Sequence, residues 1–250
     1  MVVRIRSLIT AFALATAVPA SFAAHPLQTE DTGTQGTGNL EIENGLSRTR
    51  SASTTQTVYQ PQLSLSLATT LDTIVQPAYV WQHVAQERAS GLGDTNVDAK
   101  WRFWDSYPLS FAIRGGVALA TNQDGLGLTH GKSSEHVLLA LTWDRAPTTV
   151  HVDVGTTIVP RAAASPARRV MTGVSAAVLQ QIDEHLILTM DASFAQSPNP
   201  HKASWPGTVL VGAIWTVRPG LDLDLGWQRS VDDTPVARTW LAGLTYRFAL

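Results

Sequence analysis

The stretch "LDLDLGW", residues 221–227, decides how this chain is read. In an extended strand successive side chains point to opposite faces. Leu221, Leu223, Leu225 and Trp227 therefore share one face, and Asp222, Asp224 and Gly226 share the other. Such a strand either packs its oil inward with its acids in water, or turns its oil toward lipid with its acids in an enclosed polar space. Other stretches repeat the pattern. Residues 149–159 set Val150, Val152, Val154 and Ile158 against His151, Asp153, Gly155 and Thr157. Residues 95–104 set Val97, Ala99, Trp101 and Phe103 against Asn96, Asp98, Lys100 and Arg102. A soluble sheet exposes long charged side chains for solubility. Here the polar faces mix charges with Gly, Ser, Ala and Thr, and the chain has only three lysines, Lys100, Lys132 and Lys202. That composition suits a crowded, partly wet interior, with the apolar face toward lipid.

Composition narrows the class. The chain has 250 residues, 44% hydrophobic and 15% charged, against roughly 25% charged in ordinary soluble proteins. A mean hydropathy of +0.02 argues against helical membrane spans. A net charge of −2 gives no reason to invoke nucleic acid. Cysteine is absent, so no disulfide framework is available. Arg4 and Arg6, the apolar run from Leu8 to Val18, and small Ser21 and Ala23 form a secretory signal. Residues 1–23 are expected to be removed after Ala23, and no later segment approaches the ~20 apolar residues of a membrane helix.

Twelve alternating stretches follow, at about 39–49, 55–68, 71–84, 95–104, 109–120, 134–144, 149–159, 169–181, 186–196, 207–217, 221–230 and 237–248. The eighth also suits a short helix. Tight connections at 69–72, 105–108, 145–148, 182–185 and 218–220 alternate with longer ones at 48–54, 85–94, 121–133, 160–169, 196–206 and 230–237. Short periplasmic turns and longer outer loops distinguish outer-membrane barrels. The expected fold is all-β, an antiparallel up-and-down transmembrane barrel of about 12 strands spanning residues 39–250. Residues 24–38 are a polar segment, either a periplasmic plug with Glu30 and Asp31 meeting lumen cations or a disordered leader. Trp81, Trp104, Trp143, Trp205, Trp215 and Trp240 fall at or near predicted strand ends, as interfacial girdles require. Trp240, Ala242, Leu244, Tyr246, Phe248 and Leu250 share one face of the last strand, resembling the signal such barrels present to their assembly machinery.

The charged residues expected to line the lumen are Glu41, Glu43, Asp98, Lys100, Arg102, Arg114, Asp153, Asp191, Asp222, Asp224 and Arg247. Asp98 should lie opposite Arg114 across the 105–108 turn. Barrel closure should bring Glu41 and Glu43 to Arg247, near Asp222 and Asp224. These charges either select solutes, as rings of charge do in pores, or pair to rigidify a narrow lumen. The seven histidines do not gather, so no metal site is expected. There is no G-x-S-x-G elbow, and "GLGLTHGKS" lacks phosphate-loop spacing. No catalytic residue, enzyme activity or cofactor is expected.

Three stretches together carry a resemblance. "HPLQTEDTGTQGTG" supplies His25, Pro26, Leu27, Thr29, Glu30, Asp31, Thr32, Thr34, Gln35 and Gly36; "GLGD" supplies Gly91, Leu92, Gly93 and Asp94; and "LATNQDGLG" stands where a Leu-Pro-Thr-Gly loop is usual. The chain resembles the family of outer-membrane transporters named for the meta-cleavage pathway of phenol degradation. That resemblance implies uptake of aromatic or other small organic compounds, with no catalytic residues to carry over. The expected function is passive passage of small organic solutes through the bacterial outer membrane, the 121–133 loop controlling the outer entrance. The alternatives are a closed structural or adhesive barrel and a soluble periplasmic barrel holding a lipophilic ligand. The expected partners are the lipid bilayer, the assembly machinery and the solute.

Overall fold

The computed structural model describes residues 25–120, 132–159, 168–199, 204–231 and 236–249. The expected signal segment, residues 1–23, and most of the 121–133 loop lie outside the described residues, as does Leu250. Fourteen strands make up most of the remainder: β1 (Asn39–Ser51), β2 (Thr54–Ala68), β3 (Leu71–Gln76), β4 (Tyr79–Val84), β5 (Glu87–Leu92), β6 (Thr95–Ser106), β7 (Leu109–Leu119), β8 (Ser134–Arg145), β9 (Thr148–Ile158), β10 (Val170–Gln181), β11 (Leu186–Ala195), β12 (Gly207–Arg218), β13 (Leu221–Val231) and β14 (Arg238–Ala249). Each pairs antiparallel with its neighbours, and β1 pairs with both β2 and β14. β3 and β4 continue one another along β2, and β5 leads into β6. Counted as staves, the segments form a closed antiparallel barrel of twelve.

Physical reasons for these strands are legible locally. Val, Thr, Leu and Trp alternate with small or polar residues, which fits a sheet with two unlike environments. Pro77, with no amide hydrogen, interrupts the third stave, and Gly93 bridges the gap by donating to the Ala78 carbonyl at 2.9 Å. The segment at 170–181, which also suited a helix, is strand β10. In the β10–β11 turn Asp183 Oδ1 accepts from the amides of His185 and Leu186 at 2.8 and 2.9 Å. Those two donors hold its carboxylate below the ordinary range.

Two connections correct the expected loop pattern. Stretches 48–54 and 85–94, expected to be long outer loops, are mostly strand. β1 and β2 run on to a two-residue turn at Ala52 and Ser53, and β5 occupies Glu87–Leu92. Ala52 and Ala85 take left-handed backbone at these turns, with φ of 47° and 54°. Beyond the lipid a strand needs no oily face, so a hairpin of Thr, Gln and Arg reads as a loop.

Leu223, Leu225 and Trp240 are 44%, 65% and 66% exposed, whereas Asp224 is 5% exposed. Val152, Val154, Leu188, Met190, Val211 and Trp215 are likewise exposed, and Asp98, Lys100, Arg114, Asp153 and Asp191 are buried. Oil faces outward around the wall and charge faces the lumen. A soluble barrel with a greasy interior requires the opposite arrangement. Asn39 and Ala249 lie opposite one another on the rim that carries the short turns, the periplasmic rim of such barrels. Leu225, midway along β13, should not tolerate charge. Leu225→Arg is expected to lower stability by about 2–4 kcal/mol, read as a shifted urea midpoint in lipid vesicles. An unchanged midpoint would mean that this face does not meet lipid.

Candidate functional site

Residues 25–38 run inside the barrel, and the wall holds them by their backbone. The amides of Gln28 and Thr29 donate to Asp191 Oδ2 at 2.7 and 2.8 Å. The Glu30 amide donates to Asp153 Oδ2 at 2.6 Å, and the Thr32 amide to Thr142 Oγ1 at 3.2 Å. The Gln35 amide donates to Asp72 Oδ2 at 3.0 Å, and the His25 amide to Glu43 Oε2 at 3.1 Å. The contacts move in order from β3 across β8, β9 and β11 and return to β1. The segment is a belt around the inner wall. It has no regular secondary structure of its own, so its amides need outside acceptors, and acids on the wall supply most of them.

The end of the belt sits on glycines. His25 Nδ1 makes a short contact with Asp224 Oδ1. A Cβ at Gly243 would strike both Asp224 and the His25 ring, and one at Gly45 would come within 2.8 Å of the same ring. Gly45 and Gly243 are register partners on β1 and β14. Side chains at these two positions would close the seat.

Side chains of the belt complete a buried ionic network. Lys100 Nζ lies 2.7 Å from Glu30 Oε1 and 2.8 Å from Asp31 Oδ1. Arg114 Nη1 lies 2.5 Å from Glu30 Oε2, and its Nε donates to Asp98 Oδ2 at 2.9 Å. His136 Nε2 lies 2.8 Å from Asp98 Oδ1. Arg114 is 1% exposed. A cation so far from water is tolerated only when its donors are met, and Glu30 and Asp98 meet them from two sides.

The eleven lumen residues expected from sequence all fall on inward positions, yet they do not act alike. Asp153, Asp191 and Glu43 hold belt amides. Asp98, Lys100 and Arg114 form the network. Glu41 and Asp222 flank Arg247, each at 2.5 Å, near the periplasmic rim. Glu43 does not pair with Arg247; it accepts from Gln62 Nε2 at 2.9 Å and from the belt. Arg102 turns to Asp105, 3.3 Å away. Asp98 is not directly opposite Arg114: the register sets Asp98 against Gly116 and Lys100 against Arg114. The pair therefore forms diagonally, which a guanidinium's length allows.

Sequence reasoning missed His25, Asp72 and His136. His25 precedes every strand, and its partner Asp224 is 199 residues away. Asp72 serves a backbone amide, which leaves no complementary residue type to find. Glu30 and Asp31 carried the available signal, as acids in an otherwise Gly/Thr-rich leader facing a lumen with cations.

One region of the lumen keeps room and polar capacity. A cavity of about 90 Å³ is lined by Gln28, His136, Asp153, Thr157, Met171 and Ser175, among others. Asp153 Oδ1 and Asp191 Oδ1 are buried without a hydrogen-bond partner among the described residues. Buried carboxylate oxygens of this kind want a donor from water or a solute.

No protein-family model and no curated protein matches the chain. Solved structures do. The COG4313 outer membrane channel from Pseudomonas putida F1 superposes with a TM-score of 0.73 at 13% identity, over 87% of this chain and 98% of that one. The fold is that of an outer-membrane β-barrel. The KdgM porin, solved in complex with disordered oligogalacturonate, gives a TM-score of 0.59 at 9% identity, over 83% of this chain and 99% of its own. The CymD monoaromatic hydrocarbon channel gives 0.51 at 6% identity, over 87% and 89%. These three neighbours are channels and porins. Identities this low carry the architecture and not the solute.

The network makes a stability prediction. Arg114→Met leaves Glu30 and Asp98 facing a gap and should cost about 3–5 kcal/mol. Adding Glu30→Gln should restore part of that loss. Both are read from the temperature at which the folded band disappears on unboiled gels. Equal melting of Arg114→Met and the parent would mean the network carries no stability.

Proposed function

We propose that this chain is a passive outer-membrane channel for small organic solutes, its bore set by the belt of residues 25–38. The observation that carries the proposal is the inward clasp of that belt by Asp72, Asp153, Asp191 and Glu43. Side chains alone fill a barrel of about eight strands, and sixteen to eighteen leave an aqueous channel; twelve staves lie between. Here a segment of main chain narrows the lumen and leaves a cavity beside it, edged by Asp153 with its unpartnered oxygen. A solute carrying a hydroxyl or amine can donate to that oxygen while its carbon skeleton rests near Met171. The resemblance to the phenol-pathway transporters supports small aromatic solutes as the class.

The remaining residues take roles consistent with this. Lys100, Arg114, Asp98 and Glu30 tie the belt to β6 and β7. Glu41, Asp222 and Arg247 form a charged collar at the periplasmic mouth, with Arg102, and Asp224 anchors the end of the belt through His25. Export by residues 1–23 and recognition of the C-terminal strand by the assembly machinery complete the route to the membrane, supported by the signal-like N-terminus and the aromatic last strand.

The near-complete burial of Arg114 and Asp72 favours a second reading, a lumen shut at mid height in a structural or adhesive barrel. Planar-bilayer recording separates the two. The folded parent should show discrete conductance, and Gly243→Val, which unseats His25, should raise it severalfold. A folded parent with no conductance and no uptake of small phenols in liposome swelling would end the transport proposal in favour of the closed barrel.

A further inference from the structure

The outer wall carries a second feature that transport does not use. On β13, β14 and β1 two rows of side chains lie in register. Arg229 pairs with Arg238, and Arg238 with Arg50. One step toward the membrane, Trp227 pairs with Trp240, and Trp240 with Arg48. These positions share the face of Leu225, Ala242 and Leu46, so all six side chains point away from the lumen. The four arginines are exposed. None has an ion pair or side-chain hydrogen bond among the described residues. Four guanidinium groups on three adjacent strands repel one another. The described parts of these three strands carry no acid on that face at this end; Asp232 and Asp233, in the β13–β14 connection, lie outside the described residues.

Height along the wall says what meets them. Arg48 and Arg50 are nine and eleven residues along β1 from Asn39, Arg238 is eleven from Ala249, and Arg229 is eight from Leu221. At ~3.4 Å per residue and a strand tilt of about 40°, they stand roughly 20–29 Å above the periplasmic rim. An apolar band ~25 Å tall ends there. The cluster thus lies where outer-leaflet acyl chains give way to headgroups. The two tryptophans just below it are the residue type that settles at that boundary. Between Arg48, Arg50, Trp227, Arg238 and Trp240 the wall opens a cleft of about 510 Å³. A second cleft of about 370 Å³ lies on the other side of Arg48, with Trp81, His83 and Arg88.

We infer that Arg48, Arg50, Arg229 and Arg238 form a docking site for the phosphates of lipid A, the glycolipid of the outer leaflet. The guanidinium fork matches a phosphate bidentately. Lipid A carries its phosphates on sugars directly above its acyl chains, so phosphates meet the arginines while chains pass the indoles. Free phosphate offers no group to the tryptophans. The inference rests on the outer-membrane placement and is independent of whether the lumen conducts.

Native mass spectrometry of the detergent-folded chain tests it. The probes are bisphosphorylated, monophosphorylated and phosphate-free lipid A, and phosphatidylglycerol. Occupancy by lipid A should weaken about fivefold for each phosphate removed, as expected for about 1 kcal/mol per charge contact. Phosphatidylglycerol should bind less tightly than the bisphosphorylated form. Arg48→Gln/Arg50→Gln/Arg238→Gln should weaken lipid A by about 100-fold on the same scale. Arg145→Gln/Arg218→Gln at the opposite rim should leave it unchanged. Equal binding of phosphate-free lipid A, equal binding of phosphatidylglycerol, or an unaffected triple variant would each overturn the assignment. If the triple variant fails to fold, the phosphate series on the parent chain decides alone.

Discussion

The pairing of β1 with β14 is the constraint from which the rest follows. In hydrocarbon no water is available to satisfy a free strand edge, so a spanning sheet must close on itself. Once β1 has neighbours on both sides, the inside and outside of the wall are fixed for every strand. Alternation then does the sorting. Each Leu or Val that faces lipid commits its neighbours to the lumen, and those neighbours include most of the charged residues of the barrel strands.

A lumen so charged creates its own demand. Carboxylates and guanidinium groups confined away from bulk water cost several kcal/mol apiece unless they are partnered. Arg114, Lys100 and Arg247 cannot satisfy all the acids by themselves. Asp72, Asp153, Asp191 and Glu43 find donors in the main-chain amides of residues 25–35 instead. The converse also holds, because a main chain with no sheet or helix around it needs acceptors. Two incomplete hydrogen-bonding sets, one on the wall and one on the leader, complete each other.

What was legible in the sequence follows the same division. Facing residues and strand positions were readable because lipid and lumen impose a period of two. The Glu41–Arg247 contact was readable because closure makes the first and last strands neighbours. The Asp98–Arg114 pair was readable in partnership but not in register, since the turn at Tyr107 and Pro108 together with the irregularity between Arg102 and Trp104 sets Asp98 opposite Gly116. The two tall hairpins were hidden because polar strands above the lipid lose the oily half of the alternation. The belt's path was hidden for a deeper reason. Its bonds use amide groups that every residue possesses, so no choice of side chain in 25–35 marks where each amide will go. Only the receiving acids and the glycines beneath His25 bear a trace, and those serve other readings equally well.

The belt's acceptors are scattered over β1, β3, β8, β9 and β11, nearly the whole circumference. No partly built sheet presents them all at once at the right separations. A leader that finds a full set of grips has, in effect, measured the finished circle. A barrel one stave short, or joined out of register, would leave the leader loose and several acids bare. The ordering of residues 25–35 is thereby tied to the completeness of the wall.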